Sequence, residues 1–123
     1  MLGSSDRVQD YLRAIMGHLP VEQIRVLFLT SANRLIADEV FCRGTVDAAT
    51  LCSREILRAG LEFGAAGFIL VHNHPSGDPA PSESDISATR RLARTASELD
   101  ISLLDHIIVA RSGTSSFRAL GLI

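Results

Sequence analysis

The chain of 123 residues has no lysine; all twelve of its basic residues are arginine. That absence excludes Schiff-base chemistry on a lysine and any serine–lysine dyad. Cysteine is scarce too. Cys42 and Cys52 are the only two, too few for a disulfide framework, and they are expected to be buried or half-buried free thiols. No basic segment followed by an apolar stretch opens the chain, so no secretory signal is expected. The wholly apolar run from Phe68 to Val71 is far too short to span a bilayer. No membrane partner is expected, and the cytoplasm is the expected compartment. Excess charge is missing as well: the net charge is −2, and the arginines are scattered apart from Arg90, Arg91 and Arg94. Nucleic acid is therefore not supported as a partner, and that short cluster reads as a solvated helix face.

What is present is a core. The 46% hydrophobic composition suits one ordinary globular domain. Val8, Tyr11, Leu12, Ile15 and Met16 recur at helical spacing and predict a helix over 6–19. Ile24 to Thr30 reads as a strand and Leu35 to Arg43 as the second arm of a hairpin. Helical periodicity returns over 50–63, a short central strand follows over 68–71, and a polar loop over 73–81 carries three of the four prolines. A helix over 82–99, a strand over 101–110, a turn and a short ending complete the chain. Strands alternating with helices imply a single-domain α/β sandwich with a mixed β-sheet flanked by helices. The first helix is an appendage to it. A homo-oligomer is compatible with this layout, through the first helix or an exposed edge strand.

The chemistry concentrates in Val71-His72-Asn73-His74-Pro75-Ser76-Gly77-Asp78 and the nearby Ser82-Glu83-Ser84-Asp85. Residues i and i+2 of a strand share a face, so His72 and His74 project together from the strand's end. Asp85, in the first turn of the next helix, can turn back toward them. Two imidazoles and a carboxylate are a common ligand set for one catalytic Zn2+ per chain. Ser82 and Asp85 also have the spacing of a capping box, and Ser82 can cap the helix while its hydroxyl faces the water at the metal. Asn73 points to the opposite face and is free to hydrogen-bond around the site. Asp105 is a second supporting candidate, able to orient a zinc-bound histidine through its other ring nitrogen, while His106 reads as a packed strand histidine. Asp78 reads as a turn residue.

The string His72-x-His74-Pro75, then Ser82-x-x-Asp85, resembles the JAMM (MPN+) metalloprotease signature. The longer text, with Glu39 to Val46 before it and Leu104-Asp105-His106-Ile107-Ile108-Val109 after it, is similar to the bacterial RadC family over nearly the whole chain. RadC-like proteins usually carry an N-terminal helix-hairpin-helix region, and 1–123 is expected to be the single JAMM/MPN+ domain without it. The resemblance implies a JAB/MPN-like, cytidine-deaminase-like fold and a zinc-dependent hydrolase that cleaves amide or isopeptide bonds in a peptide or protein substrate. It implies His72, His74 and Asp85 as zinc ligands and Ser82 as the hydroxyl beside the reacting water. Glu39 is implied as the general base and acid, with Glu55 as the alternative. Where family members often have His-Pro before the Arg-Glu of the second helix, this chain has Cys52-Ser53, so no role is carried over to that helix start. Two other functions stay open: a DNA-repair nucleic-acid-binding protein or nuclease, and a non-catalytic binding module on the same scaffold.

Overall fold

Runs of apolar residues build the sheet, and the computed structural model describes the chain through residues 5–43 and 52–123. The elements are α1 (Ser5–Met16), β1 (Gln23–Leu29), β2 (Leu35–Arg43), α2 (Ser53–Phe63), β3 (Gly67–Asn73), α3 (Glu83–Glu98), β4 (Ser102–Ala110) and β5 (Gly113–Ser116). The strands form one sheet in the order β2-β1-β3-β4-β5. Only the β3–β4 pair is parallel, joined by the crossover through α3; the others are antiparallel. This is a small single domain of the mixed α/β kind that the alternation of elements implied. Among the described residues, no helix is long and apolar enough to cross a membrane.

The two faces of the sheet are covered separately. On one, Ile24, Val26 and Phe28 of β1 and Phe68 and Leu70 of β3 pack under Ile56 of α2 and Ala88, Leu92 and Ala96 of α3. On the other, Leu27, Val71, Ile107 and Val109 pack under Val8, Leu12 and Met16 of α1. Burial on both faces is why β3 lacks polar residues until its last two positions.

Two expectations change. The expected turn over 111–114 and the start of the ending over 115–123 form a strand: β5 pairs with β4 through Gly113–Ser116. It is four residues long, too short to show a period of its own. The cysteines, expected to be free thiols, are paired as a Cys42–Cys52 disulfide with Cα atoms 6.4 Å apart. The cause is topological. Cys42 sits opposite Ile24 at the end of β2, Cys52 precedes α2, and both lean on the same apolar cluster. The segment 44–51 lies outside the described residues, and with it the Gly-Thr-Val text and the first residues expected of the second helix.

Candidate metal centre

β3 ends in His72 and Asn73, and the pleat sends them to opposite faces. His72 follows Phe68 and Leu70 onto the α3 side, where it is 3% exposed. His74 lies one step past the strand, its backbone N–H donating to the Val109 carbonyl at 2.8 Å. The two rings meet edge to face at 4.9 Å between centroids. Pro75 stops the strand, and the chain turns with the Gly77 N–H donating to the His74 carbonyl. Gly77 has φ +94°, where a side chain would be strained. β5 and the turn before it hold this loop from outside: Ser112 donates to the Gly77 carbonyl and Ser115 to the Pro79 carbonyl at 2.6 Å.

Asp85 arrives by a capping box. The Ser82 Oγ accepts from the Asp85 N–H at 3.0 Å, and the Asp85 Oδ2 accepts from the Ser82 N–H at 3.0 Å. The box leaves Asp85 buried and facing the histidines, with Oδ2 3.4 Å from His74 Nε2 and Oδ1 3.9 Å from His72 Nδ1. The Ser82 hydroxyl keeps its own proton available to donate.

The hydrogen bonds fix a tautomer. His74 Nδ1 is 2.9 Å from the carbonyl oxygen of Asp78. A carbonyl only accepts, so Nδ1 carries the proton and Nε2 presents a lone pair. That lone pair faces a carboxylate oxygen, and two acceptors stand together only with a proton or a cation between them. Ligand atoms about 2.0–2.1 Å from a tetrahedral Zn2+ are roughly 3.3 Å apart, which matches the 3.4 Å gap. Both ring nitrogens of His72 are buried and lack a hydrogen-bond partner, a costly arrangement for an imidazole that binds nothing. The residues therefore fit a metal ion, and the His74–Asp78 contact is the outer hydrogen bond that metal-binding histidines typically make.

Proton affinities follow the same geometry in the metal-free protein. Burial, and then His74, push His72 below the usual imidazole value. The hydrogen bond with Asp85 raises His74 against its own partial burial. Burial alone would raise Asp85, but the bonds from His74 and Ser82 outweigh it and hold the carboxylate well below its usual range.

The second carboxylate at the site is Glu22. Its Oε2 lies 3.8 Å from His72 Nε2, and Glu22, His72 and His74 each present a ligand atom within 4.8 Å of the others. Asp85 is not part of that group; it lies on the Nδ1 side of His72, and Glu22 on the Nε2 side. One imidazole thus has a carboxylate at each nitrogen. Glu22 is not among the residues expected from the sequence; it lies one position ahead of β1 and continues the alternation of Ile24, Val26 and Phe28.

Glu39 is not brought to the site. It is exposed on the edge strand β2 and pairs with Val26, which in turn pairs with Leu70. Two strand spacings and two residues of rise put its Cα roughly 12 Å from that of His72. Glu55 is exposed in the first turn of α2 and lines a depression with Arg91 and Thr95 of α3 that includes neither histidine. Asp105 does not orient either ligand. It faces the other side of the sheet, where it accepts from Ser116 Oγ at 2.6 Å and from the Arg118 N–H at 3.1 Å. It anchors the C-terminal segment. Asn73 makes its hydrogen bonds to backbone, accepting from the Gln23 N–H at 2.7 Å and donating to the Val21 carbonyl at 3.0 Å.

His106 is fully buried beside the site, stacked on Phe117 at 4.2 Å and 6.1 Å from the His72 ring. Thr89 Oγ1 donates to the Asp85 carbonyl at 2.6 Å, so His106 Nδ1 is the donor in its 2.7 Å contact with the same hydroxyl. Burial, then the neighbouring His72, push its pKa down to about 3. It is a neutral support beside His72 and Asp85.

The chain matches the RadC-like JAB domain over residues 2–122. It is 46% identical over 123 residues to a UPF0758 protein of Rhodobacter capsulatus, covering all of this chain and 58% of that protein. It is also 46% identical over 121 residues to a UPF0758 protein of Ruegeria pomeroyi, covering 98% and 54%. The chain therefore spans a little over half the length of these relatives. With this match and a histidine–carboxylate group that could hold a metal, the chain belongs to the RadC-like JAB domain family.

Proposed function

We propose that this domain is a zinc-dependent hydrolase that cleaves an amide or isopeptide bond in a peptide or protein substrate. The observation that carries the reading is the pair of acceptors at 3.4 Å, the His74 Nε2 lone pair and the Asp85 carboxylate. Beside them stands His72, whose ring nitrogens have no other partner. His72, His74 and Asp85 are the ligands in this reading. Bound Zn2+ supplies Lewis acidity and a water that ionises near neutral pH.

Glu22 takes the part that the family resemblance assigned to Glu39. Its side chain is about one-third exposed (35%), on a flexible stem at the open edge of the site. There it can accept the proton of the attacking water and deliver it to the leaving amine. Asp85 is the buried carboxylate, with its orientation fixed by the helix cap, which suits a ligand better than a proton carrier. Ser82 keeps a hydroxyl proton to donate to the carbonyl oxygen of the scissile bond as negative charge develops there. Glu22 also lines a depression of about 370 Å3 formed by Leu19 to Gln23, where residues flanking the scissile bond can rest.

The test is metal analysis of the purified domain together with assays on peptide- and isopeptide-linked fluorogenic substrates. One zinc per chain and hydrolysis sharply slowed by Glu22→Gln are expected. Zinc binding undiminished in both His74→Ala and Asp85→Ala would sink the ligand assignment. Unchanged hydrolysis by Glu22→Gln would move the proton acceptor elsewhere.

A further inference from the structure

We propose that Asn73 is a positioning residue whose side-chain amide sets the place of Glu22 at the metal centre. The inference rests on the reading of Glu22 as the proton acceptor there. The β1–β3 ladder ends at the pair Ile24–His72. One residue further along, the Asn73 side chain takes over from backbone. Its Oδ1 accepts from the Gln23 N–H at 2.7 Å and its Nδ2 donates to the Val21 carbonyl at 3.0 Å. The amide imitates a peptide group and adds one more rung to the ladder. That rung grips the residues on either side of Glu22 and leaves Glu22 itself to project toward the histidines.

The chemistry selects an amide. The rung needs one acceptor and one donor on the same short side chain, and asparagine carries both. Asn73 is 1% exposed, so water cannot replace either bond without a rearrangement. Its own backbone is held from the other side, since Asn73 pairs with Val109 of β4. The residue between the two histidines is thus tied to the sheet on one flank and holds the Glu22 segment on the other. Ligand and proton acceptor share a single anchor point, and the Glu22 carboxylate need not be positioned by its own flexible stem.

The experiment is a double-mutant cycle read with Co2+, whose absorption reports its ligand environment, on the domain prepared free of metal. Asn73→Leu removes both bonds at similar volume, and Asn73→Ser, a smaller change, cannot bridge both groups. Each is combined with Glu22→Gln. Glu22→Gln alone is expected to alter the Co2+ spectrum and weaken binding. Asn73→Leu is expected to do the same, by roughly the tenfold or more typical of an outer-shell partner, with no further change when the two are combined. Faster hydrogen exchange at the Gln23 amide should accompany it. If Asn73→Leu does not fold, Asn73→Ser must give the same non-additive pattern. Effects that add in the double variants would overturn the role of Asn73 while leaving Glu22 at the metal. A Glu22→Gln variant indistinguishable from the parent in Co2+ binding and spectrum would remove Glu22 from the centre, and the role of Asn73 with it.

Discussion

Asp85 and Glu22 approach one imidazole from opposite sides, and different physics puts each of them there. Asp85 is placed by contacts with a residue three positions away: a capping box closes on itself as soon as α3 forms. Glu22 is placed by contacts with a residue about fifty positions away, through the β1–β3 register and the Asn73 amide. A local device makes a rigid, buried carboxylate. A long-range device makes a partly exposed one whose position depends on the β1–β3 pairing. The first suits holding a metal, the second moving a proton.

The strongest way to break this contrast is at the buried side. Asp85→Ala or His74→Ala should cost more than the roughly 100-fold in metal affinity at which the loss of an outer partner typically tops out, checked by isothermal titration with Zn2+. At the partly exposed side, Glu22→Gln should weaken metal binding less than either of these changes and slow hydrolysis by roughly 10²- to 10⁴-fold, while Glu39→Gln leaves the rate alone. A rate loss in the Glu39 variant that matches the Glu22 variant would erase the distinction drawn here.

A change of pH sharpens the contrast. In the metal-free protein the raised pKa of His74 means that a proton sits where the proposed metal would bind. Metal affinity should therefore fall by up to tenfold per pH unit once the pH drops below that raised value. The same proton stabilises the metal-free fold. Its contribution is full below the ordinary imidazole pKa of about 6.5 and is lost as pH rises through the raised one. His106 acts with the opposite sign: its stability contribution is present above about 6.5 and is lost as pH falls toward its depressed value of about 3. Melting curves of the metal-free domain across this range should show both limbs, and His106→Phe should flatten the acid one. The smallest effect is at the cap. Ser82→Ala should lower stability by about 1 kcal/mol, seen as a modest fall in melting temperature, with hydrolysis slowed further if its hydroxyl serves the reaction.

Legibility in the sequence divides along the same line. The Ser82–Asp85 box, the shared face of His72 and His74 and the alternation of strands with helices all depend on neighbours within a few residues, and all were readable. β5 was too short to announce itself. The pairing of Cys42 with Cys52 depends on how β2 enters α2 over a shared core. Glu22 lies just ahead of β1, and nothing local says that β1 lies beside β3 in a register that sets Ile24 opposite His72. Glu39 resembled the family text, and its distance from the histidines is a matter of strand order. The Asp78 contribution is a backbone carbonyl, which no residue type reveals.

The β1–β3 register also affects how any preparation of this domain should be judged. Side chains in a strand alternate, so slipping β1 by one residue against β3 would swing Glu22 to the α1 face. The same slip would turn Ile24, Val26 and Phe28 out of the core beneath α2 and α3, so a molecule that has lost Glu22 from the site has lost that core as well. A sharp melting transition is therefore a sign that the sheet has paired so as to present Glu22 to the histidines.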